Sequence, residues 1–214
     1  MMGKRVVHGI AMAAFALAAL ALRPAPAVAQ GKLEVTPFFT TFYALANVAS
    51  EFAGDPTLKE KHFPAPGAGG RLTYWISPTL GIEAAGAFTA SGTRIVSSDP
   101  TATVGASLSG TVTTASGRVL YRPARTNLFL VLGAGAVIRG GDSWDFPEFT
   151  EKTDIGGIVG FGVRASVTPK LALLVSAEAM IYSLDVDGSA GTFYDSATQA
   201  DVYVSIGVPI ALMK

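Results

Sequence analysis

The feature that most constrains this chain is an alternation of residue type with a period of two. Across 128–138 the even positions are Leu128, Leu130, Leu132, Ala134, Ala136 and Ile138, with Phe129, Val131, Gly133, Gly135 and Val137 between them. Across 171–181 the odd positions are Leu171, Leu173, Val175, Ala177, Ala179 and Ile181. Across 202–212 the even positions are Val202, Val204, Ile206, Val208, Ile210 and Leu212. Successive strand side chains point to opposite faces, so each stretch predicts a strand with one wholly apolar face. The opposite face holds small, polar or occasional charged residues. Leu171–Met180 also suits a helix by propensity, but its alternation and the turn just before it favour a strand.

The same reading extends to eight strands, at about 32–45, 67–77, 79–91, 105–121, 127–139, 154–168, 170–184 and 199–212. Their connections alternate in length. Ser77-Pro78-Thr79, Arg122-Pro123-Ala124-Arg125-Thr126 and Thr168-Pro169-Lys170 are tight turns, with proline pre-setting the bend. The connections at about 46–66, 92–104, 140–153 and 185–198 are long and polar. Strict long–short alternation describes an up-and-down antiparallel meander with both chain ends on the short-turn side.

The chain opens with an export signal. Lys4 and Arg5 precede an apolar run from Val6 to Leu22, Arg23-Pro24 breaks it, and Ala27-Val28-Ala29 supplies a small-x-small cleavage pattern before Gln30. The expected organisation is a signal peptide at 1–29 and one β-barrel domain at 30–214. The mature chain carries 13 basic and 16 acidic residues, a net charge of −3, and His62 is its one histidine.

Composition removes several function classes. The full chain has 16 basic and 16 acidic residues, so no basic surplus exists to neutralise nucleic-acid phosphates. With no Cys there are no disulfides, thiolate metal sites, Cys nucleophiles or Cys-linked lipids. No cofactor, metal or catalytic residue is expected. Charged residues make up only 15% of the chain, against about a quarter in ordinary soluble domains.

A meander with an apolar outer face and a polar inner face closes on itself most favourably. Closure removes the two unpaired edges, and eight strands is the smallest usual number for a membrane barrel. In an exported chain the apolar surroundings are a lipid bilayer, where only helices and closed barrels leave no backbone group unpaired.

The alanine-rich export signal, eight alternating strands, proline-marked short turns and long opposite loops resemble the small outer-membrane barrels of Gram-negative bacteria: the OmpA transmembrane domain, OmpX and OmpW. The resemblance covers the whole mature chain and is one of pattern. It implies an all-β, eight-stranded antiparallel transmembrane barrel in the outer membrane, surrounded by outer-membrane lipid, inserted by the outer-membrane assembly machinery, and monomeric. Many such barrels end on an aromatic residue, usually Phe. This chain departs from that pattern in Ile210-Ala211-Leu212-Met213-Lys214.

Six charges fall on strand positions opposite the apolar face: Glu34, Arg71, Glu83, Arg118, Arg164 and Glu178. Isolated charges in a narrow bore are costly, so they are expected to pair as a ladder of Arg and Glu that fills the lumen. Exchange of those pairs would instead make a gate. Tyr74 and Tyr121, just before tight turns, are candidates for one interfacial girdle, with Tyr43 and Phe88 near the opposite rim.

Other motifs are weak. The acidic and aromatic loop Gly140–Phe149 could meet a partner or a hard cation, or simply be hydrated surface. Asp185-Val186-Asp187-Gly188 lacks the later Glu of a calcium loop. Gly133-x-Gly135 and Gly160-x-Gly162 precede no helix and are read as thinning the lumen wall. A lipid-modifying hydrolase would have to use His62, with Ser50 and Glu51 in the same loop, and nothing in the sequence brings those together. The favoured expectation is a non-enzymatic barrel serving envelope integrity or surface interaction through its long loops. The alternatives are a narrow OmpW-like channel for small apolar compounds and a secreted lipid-binding barrel.

Overall fold

The computed structural model describes residues 32–46, 57–97, 107–144, 153–168, 171–184 and 197–213. The expected export signal at 1–29 lies outside the described residues. The barrel strands are β1 (Leu33–Ala44), β3 (Ala65–Trp75), β4 (Leu80–Thr89), β7 (Thr111–Tyr121), β8 (Leu128–Gly140), β9 (Thr153–Thr168) and β10 (Leu171–Leu184). The last staves are β11 (Ala197–Gly207) and β12 (Ile210–Met213), two halves of one strand. Each pairs antiparallel with its neighbour, and β1 pairs with both β11 and β12. The barrel is therefore closed by eight strands, and the helix-compatible stretch from Leu171 is strand.

Closure has an irregular seam. Phe38–Ala44 pair with Asp201–Gly207, and Leu33–Val35 pair with the β12 residues. Between these two ladders Val208-Pro209 faces the level of Thr36-Pro37, where the Val208 N–H still donates to the Pro37 carbonyl at 3.2 Å. Neither proline has an N–H to offer, so the ladder is interrupted at that level.

The two faces separate as alternation predicts. Phe39, Leu132 and Ile155 expose 73%, 68% and 72% of their surface, and Val204 and Ile206 also point outward. Inward positions such as Val131, Val137, Glu178 and Tyr203 are buried. A closed cylinder with apolar side chains standing outward needs a hydrocarbon environment, since in water that band would be an exposed apolar surface far beyond what a monomer tolerates.

The long connections hold more order than polarity alone suggests. β2 (Leu58–His62), β5 (Thr93–Ser97) and β6 (Ser107–Leu108) make a separate three-stranded antiparallel sheet. These three strands continue β3, β4 and β7 past bends at Phe63-Pro64, at 90–92 and at Ser109-Gly110. A β-carbon at Gly92 would overlap the carbonyl oxygen of Leu108, and one at Gly110 would lie 2.9 Å from that of Ser91. The bends bring Glu60, His62, Ser91 and Thr93 into buried positions, so the sheet forms a hood over the long-loop mouth. The expected strand at 105–121 is thus interrupted, and the expected loops at 46–66 and 92–104 are partly strand.

The short turns close as proline and serine chemistry requires. Ser77 Oγ accepts from the N–H groups of Thr79 and Leu80, and Arg125 adopts φ 63° in the turn after β7.

A charge on the outer face tests the environment. Leu132→Arg should destabilise the folded barrel by roughly 2–4 kcal/mol in urea titrations in phospholipid vesicles, the cost of a guanidinium near the hydrocarbon midplane. The same substitution at a soluble-protein surface would be nearly neutral.

Candidate functional site: the charged lumen

Inward-facing positions of the strands stack three groups of polar side chains along the bore. The middle group joins Arg71, Glu178, Arg118 and Glu83. Arg71 Nη2 lies 2.9 Å from Glu178 Oε1, and Arg118 Nη1 lies 2.6 Å from Glu178 Oε2 and 3.4 Å from Glu83 Oε1. Glu178 also accepts from Ser176 Oγ at 3.0 Å, and Glu83 accepts from Thr73 Oγ1 at 2.7 Å. Arg118 donates to Ser116 Oγ, and Arg71 donates to Ser176 Oγ and lies over the Phe38 ring. All four charged side chains are nearly fully buried.

Glycines make room for this group. Gly160 is the β9 partner of Glu178, and Gly133 is the β8 partner of Arg118. A β-carbon at Gly160 would stand 2.7 Å from Glu178 Cγ, and one at Gly133 would stand 3.1 Å from Arg118 Cγ. Long charged side chains lie across wall positions that carry none of their own.

Toward the short turns, Arg164 Nη1 grips both oxygens of Glu34, at 2.9 and 2.8 Å, and Trp75 Nε1 donates to the same carboxylate at 3.2 Å. Arg122, in the turn after β7, lies 5.5 Å from the centre of the Trp75 ring and donates twice to the Pro78 carbonyl. Burial and the neighbouring Arg164 push the Arg122 guanidinium below its ordinary pKa.

All six residues singled out in the sequence are thus brought into contacts inside the bore: Glu34 with Arg164, and Arg71, Glu83, Arg118 and Glu178 together. Of the aromatic candidates, Tyr74 and Tyr121 stand at the short-turn end, opposite Leu33 and Leu80 in neighbouring strands. Tyr43 and Phe88 stand at the other end, opposite Val202 and Thr113.

The group nearest the long loops was not anticipated. Arg139 pairs with Asp154, and Tyr182 donates to Asp201 Oδ2 at 2.7 Å. The Arg139 guanidinium lies 4.9 Å from the ring centres of both Trp144 and Tyr182. Parity could have found these residues. Arg139 shares the inward register of Val137, Asp154 that of Arg164, and Asp201 that of Tyr203. Arg139 and Asp154 sit at strand ends, where the limits read from sequence are uncertain, whereas Asp201 lies well inside β11.

Above them His62 packs 5.3 Å from the Phe42 ring and 5.2 Å from the Trp144 ring. The short 3₁₀ turn Asp142–Trp144 turns Trp144 fully inward, so Ser143 and Trp144 close the mouth while Asp142 stays on the exposed surface. Ser143 Oγ ties it to the Leu108 and Ser109 carbonyls. Ser91 Oγ lies 3.5 Å from His62 Nδ1 and donates to the Phe63 carbonyl at 2.9 Å. Ser50, Glu51, residues 145–149 and Asp185–Gly188 lie outside the described residues. Among the described residues no group of three or more His, Asp or Glu side chains is placed to hold a metal.

Two cavities of about 20 Å³ each flank the middle group. One is lined by Arg71, Arg118 and Glu178 on the long-loop side, the other by Glu34, Glu83 and Arg164 on the short-turn side. Each has room for about one water.

The chain matches the family described as outer membrane protein beta-barrel domain across residues 11–205. It belongs to that family. The barrel resides in the outer membrane with its apolar band in lipid. Among solved structures it is similar to the outer membrane protein OprG from Pseudomonas aeruginosa, at 13% identity and a TM-score of 0.54, covering 85% of this chain and 96% of that one. It is also similar to Neisserial surface protein A, at 14% identity and a TM-score of 0.51, covering 85% and 97%. Likeness at that identity carries the fold. No curated protein matches the chain.

Removing one partner of a buried pair strands the other. Glu178→Ala should destabilise the barrel by about 3–5 kcal/mol, and Arg164→Ala somewhat less because Arg164 is partly solvated. Thermal melts followed by gel mobility of unboiled protein read both; unchanged melting in the two variants would contradict a structural role for the pairs.

The hood should respond to acid. Burial, and next the charge of Arg139, lower the His62 pKa from 6.5 to about 3. Its folded value lies below its unfolded one, so the stabilising neutral state is complete above pH 6.5 and is lost as pH falls toward 3. Proton uptake favours the opened hood by about 1.4 kcal/mol per pH unit in that window. Burial raises the pKa of Glu60 on the same strand, which acts in the opposite sense. Amide exchange of β2 and β5 at pH 7 and pH 4.5, compared with His62→Gln, isolates the histidine; the variant should show the smaller acid-induced rise.

Proposed function

We propose that this is a non-enzymatic, non-conducting outer-membrane barrel whose lumen is plugged by paired charges, and which serves envelope integrity or surface interaction through its long loops. The observation that carries the reading is the Arg71–Glu178–Arg118–Glu83 group spanning the bore between two cavities of one-water size. A solute would have to part four mutually paired side chains, each nearly fully buried. The ladder of Glu34, Arg71, Glu83, Arg118, Arg164 and Glu178 then acts as an internal stave that ties opposite walls together. Tyr74 and Tyr121 at one rim, with Tyr43 and Phe88 at the other, act as headgroup-level anchors.

Export by the signal at 1–29, insertion by the outer-membrane assembly machinery and a monomeric state complete the reading. A catalytic role for His62 is not part of it. That ring is packed between Phe42 and Trp144, and its serine neighbour is engaged by a backbone carbonyl.

Planar-bilayer recording tests the plug. Wild-type protein should give no stable single-channel steps. The double variant Arg118→Ala/Glu178→Ala should give small steps, because it joins the two cavities. Stable steps from the wild type would favour a narrow channel.

A further inference from the structure

The charges outside the lumen are sorted by end. The connections between barrel strands on the long-loop side, at 45–64, 90–110, 141–152 and 185–196, carry eleven acidic and four basic residues. Among the described residues, the short-turn side carries Lys32, Arg122 and Arg125 and no acidic residue.

The described part of that rim is placed at a definite depth. Lys32 immediately precedes Leu33, and its Nζ lies 5.5 Å from the centre of the Tyr74 ring. Arg122, which follows the outward, half-exposed Tyr121, turns inward over Trp75 beside Glu34 and Arg164 and belongs to the bore. Arg125 is exposed, three residues further into the turn. The outward apolar band runs up to this level through Leu80, Leu130, Leu171, Leu212 and Met213. At about 3.3 Å per strand residue, the basic groups stand within roughly 10 Å of the last apolar side chains, the thickness of a headgroup layer. Lys32 and Arg125 make no ion pair among the described residues.

We propose that the short-turn rim, through Lys32 and Arg125, is a binding surface for anionic phospholipid headgroups of the adjoining leaflet. Phosphodiester oxygens would lie where the cationic groups meet the end of the hydrocarbon band, with Tyr74 and Tyr121 against the glycerol region. The acid-rich long-loop side would repel the same headgroups, so recognition is confined to one end. Each cation near an anionic lipid surface contributes enough to change occupancy about fivefold.

The test is native mass spectrometry of the folded full-length barrel exchanged into detergent with equal amounts of dioleoyl phosphatidylglycerol and dioleoyl phosphatidylcholine. The wild type should retain phosphatidylglycerol preferentially. Lys32→Gln/Arg125→Asn should reduce that preference at least tenfold; asparagine tolerates the left-handed backbone of Arg125. Asp142→Asn, on the long-loop side, should leave it unchanged. Gel mobility of unboiled samples establishes that each variant is folded, and the two single variants serve if the double variant does not fold. Equal retention of both lipids by the wild type, or a preference that survives in the rim variants, overturns the proposal.

Discussion

Hydrocarbon offers no hydrogen bonds, and every other feature of this barrel follows from that. A strand in lipid must give all its N–H and C=O groups to other strands, so the first strand has to find the last. β1 does so with β11 and β12, and the outward positions are thereby committed to apolar residues. Polar chemistry is left only the bore and the two ends. The bore of an eight-stranded barrel is narrow, so a charge placed there meets another side chain and not bulk water.

That confinement explains the form of the lumen. Glu178 is shared between Arg71 and Arg118, and Arg118 is shared between Glu178 and Glu83. Hydroxyls of Thr73, Ser116 and Ser176 satisfy further valences. Such a group contributes little net stability relative to a greasy filling of equal volume, but it penalises heavily any arrangement that leaves one member alone. It therefore fixes the register of strands far apart in sequence: β3, β4, β7 and β10 must all be correctly placed for the four charges to meet.

The parity of the strands was legible because lipid and lumen impose opposite demands on alternate residues with no intermediate case. Residues in mid-strand, such as Glu178 between Ala177 and Ala179, could be assigned by counting. Residues at strand ends could not, since the strand limits themselves are uncertain by a few positions; Arg139 and Asp154 fall there. Trp144 was illegible for a different reason. The 3₁₀ turn Asp142–Trp144 abandons the two-residue period, so an indole in an acidic loop gave no sign that it points inward. The hood was also invisible to periodicity. β2 is Leu-Lys-Glu-Lys-His, a mostly charged stretch that reads as solvated loop, and it becomes strand because β5 offers it a partner.

The hood hangs from the barrel like an awning on three brackets. Its strands are extensions of β3, β4 and β7, so one side of the mouth carries it, and His62 at its inner edge rests on Phe42 of β1 and on Trp144. Its pitch is set by two places where backbone touches backbone, Gly92 against Leu108 and Gly110 against Ser91. The lean of the canopy is therefore written in the absence of two methyl groups, and alanine at either site would force these touching backbones apart and shift the roof they hold over the opening.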